Sequence, residues 1–261
     1  MKTIFATNFK DFGIPKTRKE ALAIFGPGIF SSDGRHWESS RELLRPNFVR
    51  DQVGDMKALE RHVSRLIHRI REGGKCVDMQ DLFSDLTMDS ATELLLGEST
   101  GMLGHHPEPK AVQFSKALNE TSERLSIRMG IGWLATIIPD PSLHRGIREM
   151  KEFIDTYVSR AMKLREGNAE VVGEGRYMFL PALAKSGYSK GRIAAELMAV
   201  IVAGRGSISA LLTVFWFTIA RRPDVFQKLR NEVRHILGIR LPTFEEVKSL
   251  KYLNWTLREG K

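Results

Sequence analysis

Two stretches of this 261-residue chain hold residue types whose spacing could do chemistry. In the first, Trp37 and Arg41 stand four positions apart, which puts both side chains on one face of a helix. In the second, Ala203-Gly204-Arg205-Gly206-Ser207-Ile208-Ser209 interrupts an apolar run with two glycines, one cation and two hydroxyls. Glycine lets a flat ligand approach a helix backbone and loosens the local hydrogen-bond ladder. The hydroxyls of Ser207 and Ser209 can face a pocket or bond back to carbonyls of the preceding turn. A third candidate is the single cysteine, Cys76. One cysteine excludes an intrachain disulfide and a Cys-based zinc site, and it suits a reducing, intracellular setting. Its place in Gly73-Gly74-Lys75-Cys76-Val77-Asp78, between two helical patterns, reads as a small structural residue and not as a nucleophile.

The elements that must position these residues follow from periodicity. Asp33 stands where it can cap a helix that starts near Arg35 and runs through Trp37, Arg41 and Leu44 to Pro46. Leu59, Val63, Leu66, Ile67 and Ile70 recur at three and four, which predicts an amphipathic helix over 53–70 stopped by Gly73-Gly74. Met79, Leu82, Phe83, Leu86, Leu94 and Leu95 repeat the pattern over 78–96, ending at Gly97. After a loop over 101–109, helices are predicted over 110–129 and 142–165, separated by Pro139-Asp140-Pro141. A loop over 167–175 and a short helix over 180–185 follow. A long apolar helix is predicted over 189–222, and another after Pro223 through Val225, Phe226, Leu229, Val233 and Leu237. A short helical turn opens at Pro242-Thr243, and a last helix starts near Leu250. Repeats, low-complexity tracts and convincing strand pairs are absent from the sequence. The expected fold class is all-α, a helical bundle around one long central helix, forming a single domain over 1–261 without a linker.

The central helix admits two settings. The run from Leu197 to Ala220 holds one charge, Arg205, and is long enough to cross a bilayer. Two glycines, an arginine and two serines at the bilayer centre are costly, so the reading is a buried helix in a soluble core. It should be roughly 45 Å long at about 1.5 Å per residue. The amino terminus lacks a long apolar run and reads as neither signal peptide nor membrane anchor. Hydrophobic residues at 42% and charged residues at 27% exclude disorder along the whole length. The net charge of +9 is spread along the chain, with short clusters at Lys16 to Lys19 and Arg65 to Arg71. Zinc-finger spacing and aromatic RNA-binding signatures do not accompany it, so nucleic acid is not an expected partner.

In three places, taken in order, the chain resembles the cytochrome P450 family, especially the fungal hydroxylases of alkanes and fatty acids. The first is Phe9-Lys10-Asp11-Phe12-Gly13 and Gly28-Ile29-Phe30-Ser31-Ser32-Asp33-Gly34, leading into Trp37-Glu38-Ser39-Ser40-Arg41 and Leu44-Arg45-Pro46-Asn47-Phe48. In the family this Trp-x-x-x-Arg helix lies beside the haem edge, and its arginine makes a charge-assisted hydrogen bond to a propionate. The second is Ala203 to Ile208, matching the central-helix pattern Ala/Gly-Gly-x-Asp/Glu-Thr-Thr/Ser, followed by Arg222-Pro223-Asp224. The third is Leu250 to Glu259, similar to the helix that carries Glu-x-x-Arg; Glu259 would be its structural glutamate, with the arginine one position past Lys261.

The resemblance implies haem as cofactor, with Trp37, Arg41, Ala203 and Gly204 beside it and Ser207 as the catalytic hydroxyl. It also implies a lipophilic small-molecule substrate of the fatty-acid or alkane class, an NADPH-dependent reductase, and the endoplasmic reticulum membrane for intact relatives. The chain departs from the family pattern at two points. Gly206 stands where the family has an acid, and Ser207 where it has threonine, which weakens the proton-delivery pair. The Phe-x-x-Gly-x-Arg-x-Cys loop has no match, so the chain offers no axial cysteine and no metal ligand. Cys76 cannot replace it by position. The expectation is a partial P450 fold, truncated at both ends, that lacks the haem-cysteine loop and most of the β region. Such a chain is not an active monooxygenase by itself. The alternative is a non-catalytic helical remnant or partner-binding bundle.

Overall fold

The computed structural model describes residues 3–8, 11–48, 56–72, 74, 76–166 and 179–259. Phe9, Lys10, Val53, Gly73, Lys75, the loop over 167–175 and Lys261 lie outside the described residues. Every regular element among the described residues is helical. After a π-helical turn at Thr3–Thr7 come α1 (Lys16–Ala23), α2 (Gly34–Leu44) and a 3-10 turn at Arg45–Phe48. Then follow α3 (Met56–Glu72), α4 (Met79–Leu96), α5 (Pro109–Ile131), a 3-10 turn at Gly132–Thr136, and α6 (Pro141–Glu166). The chain continues through α7 (Phe179–Ala184), α8 (Lys190–Ala220), α9 (Pro223–Leu237), α10 (Phe244–Ser249) and α11 (Lys251–Glu259).

Local chemistry sets several helix ends. Asp78 accepts the orphan amides of Gln80 and Asp81 at 2.8 and 3.2 Å, which starts α4. Pro109 and Pro223 occupy first positions of α5 and α9, where a missing N–H costs nothing. Thr243 and Glu246 form a reciprocal capping box on α10. The start of α11 is capped from a distance: the Glu232 carboxylate of α9 accepts Tyr252 N–H at 2.7 Å and Leu253 N–H at 3.0 Å.

One sequence expectation needs correction, and one helix went unforeseen. Asp33 occupies the N-cap position of α2, but its side chain makes no capping bond there. Its carboxylate instead accepts the Ile14 amide at 3.3 Å and Lys19 Nζ at 2.9 Å, the second a charge-assisted bond. The helix α1 behind that contact was not anticipated: Lys16-Thr17-Arg18-Lys19 reads as a basic cluster, and its apolar periodicity is weak.

The chain divides into two compact units. The first comprises 1–49, 94–98 and 108–202. Its core is built on α5 against α6, where Phe114 stacks on Phe153 at 4.4 Å and Phe153 meets Tyr157 at 5.1 Å. Met150, Ile154, Val158, Phe179, Leu183, Ile193, Leu197 and Ile201 are fully buried within it. Each such side chain contributes about 1.5–3 kcal/mol of transfer free energy. The second unit comprises 50–93, 99–107 and 203–261. Leu66, Leu82, Phe83, Leu86 and Leu103 form its core cluster, with Val63, Ile70 and Leu212 packed against it. Beneath the cluster the fully buried Asp89 carboxylate accepts Thr100 Oγ1 at 2.9 Å and the amides of Met102 and Leu103 at 2.8 and 3.0 Å.

Helix α8 is continuous, but burial divides it. Ile193, Leu197 and Ile201 are 0% exposed, whereas Val214 is 53% and Phe217 61% exposed. The expectation of a helix buried throughout is therefore corrected: after Ala203 its apolar side chains are largely open. The helix is long and apolar enough to cross a membrane by length and composition.

Candidate functional site

In the first unit, α2 carries Trp37 and Arg41. The Arg41 guanidinium lies 5.5 Å from the Trp37 ring centroid, so the two side chains do share one face. Trp37 is half-buried and Arg41 exposed. What fixes this helix is a polar network that the sequence reading did not single out. Arg192, near the start of α8, donates from Nη2 to Ser40 Oγ at 2.7 Å and to the His36 carbonyl at 3.3 Å. Ser39 Oγ meets the Tyr188 hydroxyl at 2.9 Å. Arg192 also pairs with Glu196 at 3.1 Å, and Glu196 Oε2 accepts the Ile29 amide at 2.9 Å.

The loop before α2 presses against the same turn of α8. A Cβ on Gly26 would stand 2.8 Å from Ala195 Cβ, and one on Gly28 would stand 3.3 Å from both the Ala195 carbonyl and Glu196 Oε2. Gly26 is thus required both by close approach and by its positive φ of 106°, whereas at Gly28 the contact is tight without a left-handed backbone. A signal for the network was present in the sequence: Arg192 and Glu196 form an i, i+4 charge pair at the head of an otherwise apolar helix, where an ion is retained only if paired.

In the second unit, the Ala203–Ser209 turn of α8 has two unlike faces. Arg205 and Ser209 point into the protein and are 5% and 4% exposed. Ser209 Oγ lies 2.9 Å from Ser84 Oγ on α4. Burial lowers the Arg205 pKa, an effect that the charges of Asp85 and Asp81 oppose. Asp85 is pushed up to about 6, first by burial and then by repulsion from Asp89, with Arg205 pulling the other way. The opposite face is open. Among the described residues, apart from the adjoining residues and backbone of the helix itself, no heavy atom lies within 4 Å of a Cβ built on Gly204 or Gly206. The exposed Ser207 hydroxyl donates to the Ala203 carbonyl at 2.7 Å, the back-bond that hydroxyls make when they sit inside a helix. Gly206 lies on this exposed side.

Of the remaining candidates, Glu259 is exposed at the last residue of α11, and Cys76 is exposed on the segment before α4. By residue type, Arg41 and Trp37 in the first unit offer a cation and an aromatic ring, and Gly204 in the second leaves helix backbone without a side chain; none of the three is an iron ligand.

A family model described as cytochrome P450 matches residues 2–260. The chain is 36% identical, over its whole length, to cytochrome P450 monooxygenase FPY7 of Fusarium mangiferae, of which it covers 51%. It is 34% identical, again over its whole length, to cytochrome P450 52A4 of Candida maltosa, of which it also covers 51%. The crystal structure of the cytochrome P450DA heme domain superposes with a TM-score of 0.72 at 20% identity, covering 94% of this chain and 52% of that one. The chain spans about half the length of the fungal relatives it matches. On the match across 2–260, the chain belongs to the cytochrome P450 family.

Proposed function

We propose that this chain is part of a haem-thiolate monooxygenase that hydroxylates a lipophilic substrate of the fatty-acid or alkane class. In that reading Arg41 and Trp37 would hold the haem edge, and Ala203 and Gly204 would meet the haem through their backbone. Ser207 offers its hydroxyl to a pocket ligand, without an acid at Gly206 to feed it protons. Glu259 serves a structural role. When bound, haem supplies dioxygen activation, for which thiolate donation to the iron drives O–O cleavage. This chain's own residues orient the substrate and exclude water. Electrons come from an NADPH-dependent reductase, and the intact protein resides at the endoplasmic reticulum membrane.

The observation that carries the reading is the two-faced turn at Ala203–Ser209, bound to α4 on one side and bare on the other. A helix that serves only as core has no use for a bare glycine face flanked by the exposed Ile208. Residues 1–261 alone are proposed not to turn over, because they contain no cysteine at the family's ligand position. The test is to express them with haem, reduce under carbon monoxide, and record the absorption spectrum. No thiolate-type Soret band is expected; a strong one would overturn the proposal and redirect attention to Cys76.

The exposed apolar side chains Val214, Trp216 and Phe217 favour a second reading, a non-catalytic bundle that binds a partner. The coding sequence past Lys261 separates the two. The monooxygenase reading expects an arginine at the next position and a cysteine loop later.

A further inference from the structure

A cluster of two histidines and a carboxylate carries chemistry of its own. In the second unit, His68 and Glu72 stand one turn apart on the exposed side of α3, with His68 Nε2 3.2 Å from Glu72 Oε1. His105, from the loop that follows α4, places its Nε2 3.7 Å from the same oxygen. One ligand-capable atom from each of the three residues falls within 4.8 Å of the others. A tetrahedral zinc ion with bonds of about 2.0–2.1 Å separates its ligand atoms by about 3.4 Å, so only small side-chain rotations would close the set. Two imidazoles and one carboxylate are the protein ligands of an open zinc site, which leaves a fourth position for water.

Neither arm of the cluster is a floppy surface segment. His105 follows a turn closed by the Gly104 amide on the Gly101 carbonyl at 2.9 Å, and Gly101 has φ +69. The same loop is held from below by Asp89, which accepts from Thr100, Met102 and Leu103. Leu103 is 2% exposed in the cluster that also contains Leu66, two residues before His68. One core thus fixes both the helix that presents two ligands and the loop that presents the third. Preorganised ligands lose little conformational entropy when the ion binds.

We propose that His68, Glu72 and His105 form a surface site for a divalent transition-metal ion of the zinc class, which ties the 99–107 loop to the end of α3. The ion clips two segments together and neutralises the carboxylate between the histidines, with water in its fourth position. Binding to the folded state alone raises thermal stability.

The test uses the 1–261 chain, with Zn²⁺ titrated by calorimetry and Co²⁺ as a spectroscopic probe of coordination. One ion per chain is expected, with a rise in the unfolding midpoint on adding Zn²⁺. Loss of a mere second-shell partner costs about 10–100-fold in metal affinity, so His105→Ala and His68→Ala should each weaken binding by at least about tenfold. Glu72→Gln, which keeps the side-chain shape, should do the same while circular dichroism shows an intact helix content. His144→Ala, in the other unit, should change nothing. If His105→Ala binds Zn²⁺ as tightly as the parent, or if His144→Ala weakens binding equally, the metal is adventitious and the site does not exist.

Discussion

The fully buried Glu196 carboxylate accepts the Ile29 amide at 2.9 Å, across a separation of 167 residues. The same carboxylate pairs with Arg192, whose guanidinium binds Ser40. One acid therefore holds both the loop before α2 and, through Arg192, α2 itself. Removing one partner of a buried ion pair costs about 3–5 kcal/mol because the other charge is left uncompensated. Glu196→Ala is expected to lower stability by that order in urea unfolding. Glu196→Gln, which keeps an acceptor for Ile29, should cost less.

Arg41 and Arg192 should behave oppositely despite their shared charge. Arg41 is exposed and rests over the Trp37 ring, and an exposed cation–π contact is worth about 0.5–1 kcal/mol. Arg41→Ala is expected to leave the thermal midpoint nearly unchanged, as suits a side chain kept for a ligand. Arg192→Ala strands Glu196 and should lower the midpoint strongly. Equal losses in thermal melts would show Arg41 to be a structural residue.

Gly26 and Gly34 both have positive φ, at 106° and 58°. Only Gly26 is crowded, with a built Cβ 2.8 Å from Ala195 Cβ, while nothing lies within 4 Å at Gly34. Backbone strain alone costs about 1–2 kcal/mol, and overpacking adds about 1–3 kcal/mol. Gly34→Ala should show the first amount and Gly26→Ala the sum. Denaturant midpoints for the two variants would reveal the difference, and equal values would contradict the close approach of this loop to α8.

Asp85 makes stability pH-dependent. Its folded pKa is raised from 3.8 to about 6, chiefly by burial. Between these values the folded state holds a proton that the unfolded state has released, so this group's contribution to stability falls as pH rises from about 4 to about 6. Asp85→Asn removes the titration. The variant should match the parent near pH 4 and become progressively more stable relative to it up to about pH 6, then keep a constant lead. Thermal midpoints measured across that range check this, and a gap that shrinks with rising pH would refute it. The opposing pull of Arg205 is already contained in the net shift.

The existence and order of the helices could be read from the sequence, because a 3.6-residue apolar period and Gly or Pro punctuation are local signals. That Trp37 and Arg41 share a helix face, and that the Ala203–Ser207 turn lies within one helix, were legible for the same reason: each is a short pattern on one helix. Helix α1 was not, since eight residues with four charges carry little periodicity, and its place is secured by Lys19 on Asp33. Which face of the Ala203–Ser209 turn is bare depended on Arg205 and Ser209 finding α4. That Gly26 is demanded by Ala195 depended on an approach across more than half the chain. The His68, Glu72 and His105 cluster required the Asp89-held loop to fold back over the end of α3. Local propensity specifies each helix, whereas long-range close approach and the satisfaction of buried charges belong to the folded chain alone.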